Sequence, residues 1–225
     1  EETHDRFRKP GSFKETMRAI SCLQKAGIWV AVMNTVSSVN ASELPQLIDL
    51  VAGLEVDVFA FGRYCPTSGQ KRDEFHIEPL QYRQLLLDCQ ERIDFHESNG
   101  CKTFFQLKDH LWTLLRWEQG RFSIPEDAKP GMVYDGCHCG TGHMTILPTG
   151  EVYACRRMES KVGSVAENTL LDLFYSSAME EKREFKSFSK CAKCELFGWC
   201  RGCPAVTYGY TGNMYDADPQ CWKDR

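Results

Sequence analysis

The chain has 225 residues, 42% of them apolar, and 27 basic against 31 acidic side chains give a net charge of −4. That length accommodates one large domain or two smaller ones. No long basic block is present, so no nucleic-acid partner is expected. No apolar run approaches the roughly 18 residues of a membrane span, and no signal peptide opens the sequence, so no membrane association and a cytoplasmic location are expected.

The first hundred residues read as helices alternating with strands. Ser12 and Glu15 form a capping-box pair, and Phe13, Met17, Ile20 and Leu23 follow at helical spacing up to Gly27. Residues 28–36 are rich in β-branched and apolar side chains and read as a strand. Ser42 and Pro45 open a second helix; residues 56–62 read as a second strand, ending at Arg63-Tyr64-Cys65-Pro66. Pro79 opens a third helix, expected to run to about His96. This order implies parallel strands covered by helices, an α/β fold. Residues 107–117 read as a short aromatic-rich helix. Pro125, Pro130 and Gly131 then mark a linker, which sets a boundary between residues 1–128 and 129–225.

The second part differs in character. Two short strand-like runs flank Pro148-Thr149-Gly150, a hairpin signal. Asn168 reads as the cap of a helix running to about Phe185. From Ser189 onward the chain is short loops punctuated by cysteine, glycine and proline, a composition whose order is expected to depend on metal.

Twelve cysteines are present, and eight of them fall in the last 89 residues. They form two blocks: Cys137-x-Cys139 with Cys155, and Cys191-x2-Cys194-x5-Cys200-x2-Cys203 with Cys221. A CxxC turn presents two thiolates on one side of a tight loop, and thiolate is the ligand of choice for both zinc and iron–sulfur clusters. Eight thiolates fill two four-cysteine sites of either kind, and spacing alone does not separate them. Cys22 and Cys89, inside helices, read as packing residues. Asn34, on the first strand, reads as structural, with the strand's inner side as the alternative.

The series Cys139…Gly150-x4-Cys155…Cys191-x2-Cys194-x5-Cys200…Cys203…Cys221 resembles the SPASM extension of radical S-adenosylmethionine enzymes, with one residue fewer than usual between Cys200 and Cys203. His4-Asp5-Arg6-Phe7-Arg8 with Gly11-Ser12-Phe13, the strand ending before Asn40, and Arg63 to Gly69 resemble the segments around the fourth to sixth barrel strands of the same enzymes. The resemblance implies the C-terminal half of a partial (β/α)6 barrel, residues 1–128, followed by a small cysteine-rich SPASM domain with a β-hairpin and a helix, residues 129–225. It assigns Cys137, Cys139, Cys155 and Cys203 to one auxiliary [4Fe–4S] cluster and Cys191, Cys194, Cys200 and Cys221 to a second. Arg8, Tyr64 and Cys65 match positions that approach S-adenosylmethionine.

The CxxxCxxC loop that holds the catalytic third cluster in such enzymes does not occur here. The expectation is therefore a chain lacking the N-terminal half-barrel and inactive alone, with S-adenosylmethionine and the third cluster belonging to the complete protein. Where sulfatase-maturing relatives carry an aspartate after the cysteine matching Cys155, this sequence has Arg156 and Arg157. These arginines offset cluster charge or pair with an acidic peptide. The activity implied is maturation of a ribosomally made peptide, with thioether formation as one such modification, by 5′-deoxyadenosyl radical hydrogen abstraction, with a flavodoxin or ferredoxin as electron donor. The competing reading is a zinc- or iron–sulfur-stabilised binding or electron-transfer module without radical chemistry.

Overall fold

A computed structural model describes residues 1–66 and 74–223. Thr67, Ser68 and Gly69 of the barrel-like Arg63–Gly69 segment lie outside the described residues. The chain forms two compact units: residues 1–64 with 74–109, and a second that takes in residues 65–66 and 110–223.

In the first unit, α1 (Glu2–Phe7) and α2 (Ser12–Lys25) precede β1 (Ala31–Val36), α3 (Leu44–Gly53), β2 (Val58–Arg63), α4 (Pro79–Ser98) and β3 (Phe104–Gln106). The three strands form a parallel sheet in the order β1-β2-β3. Val32 stands opposite Phe59, and Phe59 opposite Phe105. Every parallel crossover uses a helix, as the strand–helix alternation requires. Phe59, Ala60 and Phe61 of the central β2 are all buried, which explains why residues 56–62 read as an apolar strand despite Asp57. Edge strand β1 instead alternates, with Ala31, Met33 and Thr35 exposed. Helices α3 and α4 pack together through buried Ile48, Val51, Tyr82, Leu86 and Cys89.

Two local readings need correction. The start of α2 is not capped by Ser12 and Glu15; its N-cap is Gly11 in the left-handed region. The Asp5 carboxylate takes the Gly11 amide at 2.6 Å, the Phe13 amide at 2.8 Å and the Ser12 hydroxyl at 3.2 Å. A carboxylate supplied from α1 outcompetes the local pair, because it satisfies more of the orphan donors at the helix start. Of the four apolar α2 residues, only Ile20 is buried, and Cys22 is exposed rather than packed.

The Asp5 contacts, with the Phe13 amide foremost, hold its carboxyl below the usual value near 3.8. A depressed carboxyl pKa contributes stability above the unfolded value, and this is lost as pH falls through the lower folded value. Asp5→Asn is expected to speed amide exchange at Gly11 and Phe13 at neutral pH. Wild type should show the same opening only below about pH 4. Unchanged exchange in the variant at neutral pH would contradict this capping role.

The second unit holds α5 (Leu111–Glu118), then β4 (Thr145–Ile146), β5 (Glu151–Tyr153) and β6 (Lys161–Ser164), an antiparallel sheet in chain order. Gly150, at φ +85°, turns β4 into β5, and its amide donates to Leu147 O at 2.9 Å. The helix read from Asn168 to Phe185 is two: α6 (Leu170–Phe174), capped by Thr169, and α7 (Ser177–Glu181), capped by Ser176. Helix α8 (Pro204–Thr211) follows the cysteine-rich loops. The core of this unit is Val152, Ala154, Leu173, Met179, Phe188 and Val206, continuous with Cys139, Cys191 and Cys203.

Candidate metal centre

The eight clustered cysteines lie in the second unit, and the fold sorts them into two sets. Cys191, Cys194, Cys200 and Cys221 line one cavity together with Leu196 and Asp218. Cys191 opens a short 3-10 turn, Cys191–Lys193. Cys221 is brought in by a turn in which its amide donates to Asp218 O at 3.1 Å. The other set is Cys137, Cys139, Cys155 and Cys203: the thiols of Cys137, Cys155 and Cys203 all act electrostatically on Cys139. Cys203 immediately precedes α8, so the chain passes from the second set at Cys200 to the first at Cys203 and back to the second at Cys221.

A recurring turn presents the sulfurs. The thiol of Cys137 accepts the Cys139 amide at 3.4 Å. Cys155 accepts the Arg157 amide, Cys200 that of Gly202, and Cys221 that of Lys223. Amide N–H groups on sulfur are the kind of contact that stabilises and tunes a bound thiolate. Cations reach both sets: Arg157 Nη1 lies 3.6 Å from Cys203 Sγ, and Lys190 Nζ lies 3.9 Å from Cys221 Sγ. Arg156 is exposed, so of the two arginines after Cys155 it is Arg157 that meets a sulfur.

Without metal, burial favours the thiol form of six of these cysteines. Burial pushes Cys137 and Cys191 up to about 12, and burial raises Cys139, Cys155, Cys200 and Cys221 as well. Buried thiols in apolar surroundings are inert until a metal makes deprotonation favourable. The donor chemistry, four soft sulfurs around a largely apolar space with a cation at the rim, fits an iron–sulfur cluster in the second set; the first set offers the same donors. Among the described residues, no three His, Cys, Asp or Glu side chains close on the position of a single ion.

Polar residues that sequence reasoning missed complete the frame. Asp218, 2% exposed, accepts the Cys203 amide at 2.8 Å and the Gln220 amide at 2.9 Å. Buried Ser160 accepts the Cys155 amide at 3.0 Å and donates to the Cys155 carbonyl at 2.9 Å. Gly202 fits between Cys200 and Cys203 at φ +61°, where a Cβ would stand 2.5 Å from Asp218 Oδ2. Gly202→Ala is expected to cost at least about 1 kcal/mol from the backbone conformation alone and to lower iron retained per chain. Wild-type unfolding and iron content in the variant would show that Asp218 gives way freely.

The expected S-adenosylmethionine residues are placed as follows. Arg8 is exposed at the end of α1. The Tyr64 amide donates to Val36 O at 2.7 Å, and its ring lies 5.1 Å from that of Phe75, against which Phe7 also packs at 5.9 Å. Tyr64 and the residue preceding Arg8 thus share one aromatic neighbour. Cys65 is turned elsewhere, its thiol donating to Ala205 O at 2.9 Å and Arg157 O at 3.3 Å within the second unit. Asn34 carries a buried Oδ1 with no hydrogen-bond partner among the described residues.

Residues 137–204 match the SPASM model, described as an iron–sulfur cluster-binding domain. The match takes in seven of the eight clustered cysteines, Cys221 lying beyond it. That segment is a SPASM domain. Over nearly its whole length the chain is similar to the relatives and folds below.

Among curated relatives, an AdoMet-dependent heme synthase of Methanosarcina barkeri is 26% identical over 98% of this chain and 64% of its own length. The antilisterial bacteriocin subtilosin biosynthesis protein AlbA of Bacillus subtilis is 25% identical over 98% of this chain and 45% of its own. The chain therefore spans between about half and two thirds of the length of these relatives. The solved structure of native anSMEcpe with bound AdoMet shares the fold at a TM-score of 0.67, with 17% identity over 93% of this chain and 56% of that one. Streptococcus suis SuiB bound to S-adenosylmethionine does so at 0.65, with 19% identity over 92% of this chain and 48% of that one. Among the described residues, no helix is long and apolar enough to cross a membrane.

Proposed function

We propose that this chain serves a radical enzyme that modifies a ribosomally made peptide, and that its two cysteine sets hold two auxiliary [4Fe–4S] clusters. The carrying observation is the separation of the thiols: Cys191, Cys194, Cys200 and Cys221 share one cavity, while Cys137, Cys139, Cys155 and Cys203 act on one another. Bound there, such clusters would supply one-electron transfer at potentials set by burial and by hydrogen bonds to sulfur. The chain's own part is to orient the sulfurs through the amides two residues on, exclude water through Leu196 and its neighbours, and offset negative charge through Arg157 and Lys190. A flavodoxin- or ferredoxin-like protein is the proposed electron donor.

Binding of S-adenosylmethionine, with a third cluster in the complete protein, is proposed to involve Arg8, Tyr64 and Cys65. The arrangement around Phe75 supports the first two. Cys65 is supported only by its place directly after Tyr64, since its thiol faces the second unit. The unpartnered Asn34 Oδ1 adds an acceptor on the first unit's sheet.

A peptide substrate is supported by the relatives AlbA and the sporulation killing factor maturation protein SkfB, and by the fold shared with anSMEcpe bound to a Kp18Cys peptide. A second reading, chemistry on a heme precursor, is favoured by three relatives named heme synthase at 25–27% identity. The test is to offer the full-length reconstituted enzyme, with S-adenosylmethionine and reductant, a peptide encoded beside its gene and, separately, a tetrapyrrole heme precursor. A mass change in the peptide alone supports the first reading. A change in the tetrapyrrole alone replaces it with the second, and neither changing removes both.

A further inference from the structure

Arg201 is a cation held beside both cysteine sets. It follows Cys200 of the second set directly, and its Nη2 donates to the carbonyl of Cys137 in the first set at 2.5 Å. Its Nη1 donates to Asp135 O at 3.0 Å and Phe197 O at 3.1 Å. The residue is 3% exposed. The rings of Phe185 and Phe197 stand 5.6 and 5.7 Å from the guanidinium carbon. Among the described residues no carboxylate forms an ion pair with it. The Asp135 side chain is turned to the Gly136 amide, at 2.7 Å.

A buried guanidinium is always charged and is costly without a counter-charge. Carbonyl dipoles satisfy its donors but bring no net charge. The groups that bear on its charge are Cys137 on one side, Cys200 and Cys191 on the other, and after them the Asp135 carboxylate, which forms no ion pair with it. We infer that Arg201 is the common counter-cation of the two cluster sites, positioned to stabilise negative charge on both and so to raise both reduction potentials. A four-thiolate cluster carries net negative charge that grows by one on reduction. A cation held beside it therefore favours the reduced form. Arg157 Nη1 lies against a sulfur of the first set and Lys190 Nζ against a sulfur of the second, whereas the Arg201 guanidinium is held between the two.

This inference rests on the two-cluster reading, and the experiment separates the two. Full-length protein is reconstituted anaerobically, assayed for iron and sulfide, and titrated potentiometrically with the auxiliary cluster signals followed by electron paramagnetic resonance. Arg157→Met is expected to lower the potential of one auxiliary signal, Lys190→Met that of the other, and Arg201→Met both, at unchanged iron content. Arg201→Lys, which keeps the charge but not the fork, is expected to leave both potentials nearer wild type than Arg201→Met does. If fully loaded Arg201→Met moves neither signal, or only one, Arg201 is not a shared counter-cation. If Arg201→Met, Arg201→Gln and Arg201→Lys all fail to retain iron, the residue supplies a carbonyl clamp rather than charge, and the inference is likewise overturned. Absence of iron and sulfide from wild type would instead defeat the two-cluster reading itself.

Discussion

Arg63→Leu is expected to destabilise the first unit by about 3–5 kcal/mol, because it removes the buried cation that Asp109 faces. The Arg63 guanidinium is fully buried and its Nε lies 2.8 Å from Asp109 Oδ2, itself almost fully buried. Its guanidinium carbon also stands 5.4 Å from the centre of the Tyr82 ring. Solvent screening is negligible for such a pair, unlike the exposed Lys9–Glu15 bridge at 3.1 Å, whose loss should fall within about 1 kcal/mol. The pair joins the end of β2 to the segment after β3, and it sits one residue before Tyr64. Removing both charges with Arg63→Met and Asp109→Leu is expected to restore much of the loss, since well-packed apolar replacements of buried pairs are often neutral. The measurement is native-state amide exchange of β2 residues, which reports this unit without assuming that the whole chain unfolds in one step. A single-variant loss below about 1 kcal/mol would mean that water reaches the Asp109 carboxylate.

What could be read from the residues follows how regular each part is. The parallel sheet of the first unit was legible because β2 opens on the apolar run Val58 to Phe61 and α4 has Pro79 in its first turn. Strand β3 escaped notice because three residues carry no period. Helix α8 escaped because nearly all of it is buried, so no polar face alternates with an apolar one. The split between α6 and α7 turns on Ser176, a capping side chain inside a run that otherwise looks continuous; its Oγ accepts the Met179 amide at 3.3 Å. Capping of α2 by Asp5 was hidden for a different reason: the acceptor comes from a separate helix. In the site, the cysteines announce themselves through CxxC spacing, whereas Lys190, Arg201 and Asp218 are single polar residues whose burial only the fold reveals. Arg201 did carry a local hint, standing between Cys200 and Gly202-Cys203.

The largest compositional effect is expected from deleting one cysteine set. In this chain, loaded anaerobically, about eight irons and eight sulfides are expected. Replacing Cys191 and Cys194 by alanine should leave about four of each, replacing Cys139 and Cys155 should leave about four, and replacing all four should leave almost none. The sets are separate in space, but the chain weaves between them, and Asp218 touches both: it lines the cavity of the second and accepts the Cys203 amide of the first. Metal bound at either set is therefore expected to pin the loops from residue 189 to 223. Those loops contain little regular structure besides Cys191–Lys193 and α8. Removing all metal is expected to abolish amide protection there while leaving β1, β2 and β3 protected, because their core contains none of the eight clustered cysteines. Loading should also release protons, since Cys137 and Cys191 are held as thiols by burial up to about 12. Acid therefore favours the metal-free form, and retention of iron should improve as pH rises. Two zincs per chain with no sulfide would replace clusters with structural metal in that preparation. Loss of all iron on removing either pair would mean that the two sets form one cooperative centre, with Asp218 and Arg201 as the residues that bind them together.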